Sequence, residues 1–278
     1  MTRGPLDRRA LFASGAAAAL LAATGLSAGT LPQRGGKLRL ALSGAARDDD
    51  WLRGSGLFMR VARLGLVYET LTEIAADGTL RPELSTGWRS GEDARVWTFD
   101  LRPGVVFHDG TPMTARDVVA SLSHLDGAAH PTGKHSVEIV LPTPDPSLPF
   151  TLAQENFAIR PAHASEAGIG TGLYRVTRFT PGQQVLADRV SRHWKDGRAG
   201  WFDRIELVSI PSSDVRAQAV AEYLVDGADI DDPAILRRLG DICVFDGQAV
   251  SRSVGIPRST GRRAPFDDLR APQRWWVA

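Results

Sequence analysis

Residues 95–101, Arg-Val-Trp-Thr-Phe-Asp-Leu, alternate strictly: Val96, Thr98 and Asp100 fall on one face of an extended chain, and Trp97, Phe99 and Leu101 on the other. A period of two fits a half-buried strand and no helix, because a 3.6-residue repeat would scatter the three large apolar side chains around the axis. Gly91-Glu92-Asp93 forms a turn ahead of this strand, so residues 88–101 read as a hairpin with one apolar face.

The rest of the chain supplies both strands and helices. Leu38, Leu40 and Leu42 share one face of a strand that ends at Ser43-Gly44. Leu57, Phe58, Val61, Leu64, Val67, Tyr68 and Leu71 recur at three- and four-residue steps, which predicts a helix over 56–74. After the turns at Pro103-Gly104 and Asp109-Gly110, Thr114 is placed to cap a helix, with Asp117 three residues on to reach back to the cap amide. A polar loop is expected at 126–135, a strand at 136–141, a proline-rich turn at 142–149 and a second hairpin over 170–190 that folds at Pro181-Gly182. A strand in 201–211 leads to a helix opening at Ser212 or Ser213, stopped by Gly227 and running into a short strand. The remainder, 232–278, is mixed, with an arginine-rich turn at 258–263 and an aromatic end at Trp275-Trp276 that is expected to pack into the core.

The N-terminus reads as a targeting segment. Arg8-Arg9 stands directly ahead of an uncharged, alanine-rich run that closes on the small residues Ser27, Ala28 and Gly29, the order of an export signal over 1–28. The arginine pair is twin-arginine-like, although Asp7 stands where Ser or Thr is usual; ordinary secretion is the alternative. The apolar run is too short and weak for a membrane span, and no Cys lies near the cleavage site, so a soluble mature protein is expected. Cys243 is the single cysteine, so stability rests on packing and not on an internal disulfide. With 33 basic and 32 acidic residues the chain is nearly neutral, which argues against nucleic acid or an anionic membrane as partner.

No residue pattern points to catalysis. His124, Asp126, His130 and His135 are spaced for neither one helical face nor a usual zinc set. His108-Asp109-Gly110 is first of all a turn, and the Gly-rich stretch 168–172 runs into a strand, so no helix N-terminus is available there for a phosphate. There is no Gly-x-Ser-x-Gly elbow and no phosphate-binding lysine motif. The expectation is therefore a non-enzyme without cofactor or metal. Among the seven tryptophans, Trp51 stands apart: it lies in a polar loop beside Asp48, Asp49, Asp50 and Arg53, where an exposed aromatic needs a reason, either ligand contact or, more often for a loop tryptophan, folding back on its own domain.

Two long stretches carry a family resemblance. Residues 67–88 (VYETLTEIAADGTLRPELSTGW) and 97–122 (WTFDLRPGVVFHDGTPMTARDVVASL), followed by the Gly-Thr-Gly-x-Tyr hairpin at 170–190 and the strand and helix of 193–220, closely resemble solute-binding protein family 5, the periplasmic receptors of peptide, dipeptide and nickel ABC importers. The resemblance implies a periplasmic-binding-protein type II-like α/β fold with a mixed sheet: residues 29–74 and 166–278 as the main lobe, 75–165 as an inserted β-rich subdomain, and a second large lobe missing. It also implies a small-molecule or peptide ligand, an ABC permease in the inner membrane as partner, and a periplasmic location. The family's first-lobe contacts fall on the loop after the first strand and at the end of the first helix, here Ser43, Asp50, Trp51, Arg53 and Tyr68. The alternative is a lobe-deleted remnant or envelope interaction module that no longer binds solute, and the 126–135 loop looks shortened.

Overall fold

The computed structural model describes residues 34–75, 78–230, 232, 235, 242–246 and 253–257. The segment read as an export signal, the 258–263 turn and Trp275-Trp276 lie outside the described residues. So does the Cys243 side chain, although its backbone belongs to a strand.

Strands β1 (Lys37–Leu42), β2 (Thr72–Ile74), β3 (Leu80–Pro82), β4 (Ser85–Ser90), β5 (Val96–Leu101), β6 (Ala128–Gly133) and β7 (Ser136–Val140) are followed by β8 (Tyr174–Thr180), β9 (Gln184–Arg189), β10 (Arg204–Ser209), β11 (Gly227–Ile230), β12 (Ile242–Asp246) and β13 (Ser253–Pro257). They form a seven-stranded sheet in the order β12-β13-β11-β1-β10-β9-β8, a four-stranded sheet β4-β5-β7-β6 and the small pair β2-β3. In the large sheet β1 runs parallel to both β10 and β11, while β9 and β13 join antiparallel on either side. The sheet is therefore mixed, with a parallel centre whose strands all end on the same side.

The first helix, α1, opens as one α-turn at Leu57–Arg60 and continues as a π-helix over Val61–Val67, where the Tyr68 amide donates to the Arg63 carbonyl at 2.7 Å. It stops well short of residue 74. Tyr68 is already extended (φ −109°, ψ 157°), and residues 72–74 are strand β2. The apolar spacing continues through Leu71 because the chain passes from one core to another: Val67 and Tyr68 pack beneath the seven-stranded sheet, Leu71 beneath the four-stranded one.

The hairpin around Gly91 forms as its alternation requires, with Trp97, Phe99 and Leu101 buried. Helix α2 (Ala115–Ser121) starts at Thr114, whose amide and hydroxyl both donate to Asp117 Oδ2, at 2.9 and 2.8 Å. Residues 126–135 are not a loop. Ala128–Gly133 pairs with β7 at the sheet edge, His130 opposite Glu138, and the register slips between Pro131 and Gly133. An edge strand has one pairing side and little buried face, so polar residues and a proline are tolerated there. A short helix α3 (Leu148–Thr151) sits in the proline-rich turn. Helix α4 (Ser213–Ala221) is capped by the Ser212 hydroxyl and ends before Tyr223, which takes a left-handed φ of 60°, so Gly227 starts β11 and does not terminate the helix. Among the described residues no helix is long and apolar enough to cross a membrane.

Candidate ligand-binding site

The carboxyl ends of β1, β10 and β11 lie together because the three strands are parallel. In open α/β sheets this is the side on which ligands are received. Beyond β1 the chain makes a tight loop, 43–56, and re-enters as α1. The Phe58 amide donates to the Ser43 carbonyl at 3.1 Å, and Gly44 crosses Gly56 so closely that a Cβ on Gly56 would collide with the Gly44 carbonyl. Within the loop, buried Asp49 accepts from the Ala46 amide at 2.7 Å, and Asp50 accepts from the amides of Leu52 (2.7 Å) and Arg53 (2.5 Å). These amides and the nearby Arg53 and Arg63 charges hold the Asp50 carboxyl below its usual range, against a desolvation that alone would raise it.

Trp51 is not an exposed aromatic. The loop turns it inward to 7 % exposure, tilted against Phe179 at 4.9 Å and edge-on to Tyr68 at 6.3 Å. Gly168 lies flat on its indole in a left-handed conformation (φ 64°), with no room for a Cβ. A polar sequence neighbourhood could not show this, because Phe179 and Gly168 come from far along the chain.

Tyr68 is 1 % exposed, and burial pushes its phenol up to about 12 although Arg160 and Arg63 pull the other way. The Arg63 charge therefore acts on both Asp50 and Tyr68, and its side chain is tied to Glu155 at 2.7 Å and to the Gly54 carbonyl. The structure thus gathers Asp50, Trp51 and Tyr68 around one spot, with exposed Arg53 at its rim.

Ser43 belongs to a different set. Its amide and hydroxyl donate to Asp229 at 2.9 and 2.6 Å, and Asp229 is in turn ion-paired at 3.4 Å with fully buried Arg216. Arg216 also donates to the carbonyls of Ile210, Pro211 and Asp229. This Arg-Asp-Ser chain laces the ends of β1, β10 and β11 together.

A second polar cluster had no sequence signal, because its members are more than a hundred residues apart. Glu69 and Glu83 share the ammonium of Lys195, which lies 3.0 Å from Glu69 Oε1 and bonds Glu83 Oε1. Glu69 also accepts from Thr171 Oγ1 at 3.0 Å and Trp194 Nε1 at 3.2 Å, while His193 Nε2 donates to the Thr171 carbonyl at 2.9 Å. Glu83 accepts from the Thr70 amide at 3.1 Å and contacts the Thr70 hydroxyl at 2.8 Å, and that hydroxyl donates to the Thr72 carbonyl at 2.6 Å. A single hydroxyl proton cannot serve both contacts, which suits a protonated Glu83 donating to Thr70. Burial pushes Glu83 up to about 7 against the pull of Lys195. For Glu69 the same burial is outweighed by Lys195 and His193, and its carboxyl falls to about 2. Burial would lower Lys195, yet the two carboxylates hold it above its ordinary value.

Among the described residues no group of three or more His, Cys, Asp or Glu is placed to hold a metal. His124 stacks on Phe157 at 4.7 Å, whereas His130 faces Glu138 on the edge strand.

A mixed sheet with this strand order, a parallel centre and a loop-bearing carboxyl edge defines a lobe of the type II periplasmic-binding-protein fold. The solved oligopeptide-binding protein AppA of Bacillus subtilis, in complex with a nonapeptide, superposes with a TM-score of 0.65 at 18% identity, over 77% of this chain and 48% of that one. The family model for bacterial extracellular solute-binding proteins, family 5 (middle region), matches residues 79–241, more than half of the chain, and the protein belongs to that family. It is 31% identical over 173 residues to the uncharacterized protein YhjP of Bacillus subtilis (strain 168), covering 57% of this chain and 28% of that protein. It is 26% identical over 255 residues to the probable peptide ABC transporter periplasmic-binding protein y4tO of Sinorhizobium fredii (strain NBRC 101917 / NGR234), covering 78% and 48%. The chain spans about half or less of the length of these relatives.

Proposed function

We propose that this protein is the first, ligand-receiving lobe of an extracytoplasmic solute receptor, with peptide as the expected ligand class and an ABC permease of the inner membrane as its partner. The observation that carries this reading is the carboxyl edge of β1, β10 and β11, where loop 43–56 is fixed in place and presents Asp50 and Arg53 beside the Trp51–Tyr68 pair. Here Trp51 and Tyr68 form the floor of the site and Asp50 and Arg53 its polar edge, while Ser43 ties the loop to Asp229 beneath it. The peptide class follows from the kinship with y4tO, named a probable peptide transporter component, and periplasmic location by way of the N-terminal export signal fits the same family. The protein acts by binding and carries out no catalysis.

A thermal melt of the purified protein with and without a pooled library of short peptides tests this. A ligand at a hundred times its Kd adds about 2.7 kcal/mol, which raises the midpoint by roughly 5–10 °C for a domain of this size. A cooperative melt that does not move with any peptide pool overturns the receptor reading and leaves an envelope interaction module as the better account.

A further inference from the structure

We infer that Arg160, with Tyr68 and the Gly168 amide behind it, forms a carboxylate-binding notch in this lobe. The inference deepens the receptor reading, and rests on it for the identity of the ligand.

Arg160 is mounted on a stretch of backbone held from both sides. The Arg160 amide donates to Ser121 Oγ at 2.9 Å, the neighbouring Ile159 amide donates to the Glu69 carbonyl at 2.9 Å, and the Ala162 amide donates to Asp117 Oδ1 at 3.0 Å. The backbone of 159–162 is thus pinned to α2 on one side and to the strand entry at Glu69 on the other. The side chain is not pinned. Its guanidinium carbon lies 5.3 Å over the Tyr68 ring, its Nε is buried, and no carboxylate pairs with it among the described residues.

The groups around it offer more donors than acceptors. The Tyr68 hydroxyl is buried and accepts and donates no formed hydrogen bond among the described residues, while Arg160 and the Gly168 backbone face it. Arg63, whose charge also acts on the phenol, is occupied by Glu155, the carboxylate it shares with Arg60. A guanidinium and an amide with only one phenol oxygen between them as acceptor leave costly unmet hydrogen-bonding capacity, at the buried Arg160 Nε above all. A carboxylate answers it with two acceptor oxygens, and a guanidinium is the donor best matched to that fork. Because the Tyr68 hydroxyl has no accessible surface, Arg160, which is only partly buried, makes the first contact, and the phenol engages as the guanidinium turns outward.

The test uses the full protein and sodium acetate as probe, titrated against sodium chloride at constant ionic strength. It is read by the Gly168 amide resonance and by the ultraviolet ionisation of Tyr68. Acetate, and not chloride, is expected to shift the Gly168 signal and to raise the Tyr68 ionisation further. Arg160→Gln should abolish both responses, Arg160→Lys should keep the charge but weaken acetate binding roughly ten-fold through loss of the planar fork, and Tyr68→Phe should weaken it less. Equal responses to acetate and chloride, or an acetate response that survives in a folded Arg160→Gln variant, would overturn the notch. A second arm compares tripeptides with free and amidated C-termini in the wild-type protein. Acetate binding at Arg160 without binding of either peptide set keeps the notch and removes the peptide-receptor reading. Peptide binding that is indifferent both to amidation and to Arg160→Gln keeps the receptor and removes the notch.

Discussion

Two buried polar regions of this lobe are built on opposite principles. Around Lys195 donors meet acceptors: two glutamates share one ammonium, Glu69 Oε1 through the ion pair alone, and Thr70, Thr171, His193 and Trp194 bond around them. Around Arg160 donors outnumber acceptors, since the guanidinium and the Gly168 amide have one phenol oxygen between them and the buried Arg160 Nε has no hydrogen bond. The first arrangement joins the helix-to-strand passage at Glu69, the β3–β4 connection at Glu83 and the 193–195 segment into one unit. It gains nothing from a ligand. The second is incomplete by itself, and incompleteness on a rigid mount is what a binding site requires.

The hub depends most on Lys195. Lys195→Met would leave Glu69 and Glu83 buried and facing each other without a cation, and removing one partner from a buried ionic network costs about 3–5 kcal/mol. The thermal midpoint should fall by on the order of 10 °C or more. A fall of only a degree or two would show that the hub is not a closed structural network.

Trp51→Ala gives an effect of similar kind but on the other side of the comparison. Deleting a buried tryptophan from the Phe179–Tyr68–Gly168 nest costs about 3 kcal/mol, readable as a lower denaturant midpoint. Trp51→Phe should recover most of this loss. If Trp51→Ala leaves stability unchanged and removes only ligand binding, the indole acts on the ligand and not as the floor of the lobe.

The pH dependence of stability sharpens the hub further. Glu83 is held up near 7 in the folded protein, so its proton stabilises the fold fully below the ordinary glutamate range, and that contribution is lost as pH rises from about 4.5 through 7. Glu69 is held down near 2, so its contribution is present above about 4.5 and is lost as pH falls toward 2. Melts between pH 4 and 8 should therefore show a decline toward neutrality that Glu83→Gln flattens, because glutamine keeps the hydrogen-bond donor and cannot ionise. An unchanged slope in that variant would place the proton elsewhere.

How much of this was legible in the sequence depended on the reach of each interaction. The Trp97-Phe99-Leu101 alternation and the Thr114–Asp117 cap are local, and both formed as read. The end of α1 was hidden because Leu71 continues the apolar spacing while serving a different core. Strand β6 was hidden because an edge strand does not need the alternation that marks a half-buried one. At the site, Asp50, Trp51 and Tyr68 were placed together by the fold, but the inward turn of Trp51 was decided by Phe179 and Gly168. Arg160 and the Lys195 hub carry no motif, since their partners come from distant segments and no short window contains both ends of a contact.

The smallest expected effect is also the one that separates the two regions most cleanly. In the hub, removing a single hydroxyl such as that of Thr171 strips a bond from buried Glu69 and should cost about 1 kcal/mol or more. At the notch, Tyr68→Phe removes a buried hydroxyl that has no formed hydrogen bond, so there is no bond to lose and a desolvation cost disappears. The stability of that variant should match or slightly exceed the wild type, within about 0.5 kcal/mol in a denaturant titration, while the acetate response at Gly168 weakens. A loss of 1 kcal/mol or more would mean that the phenol is already satisfied within the folded lobe, and the contrast between a closed hub and an open notch would no longer hold.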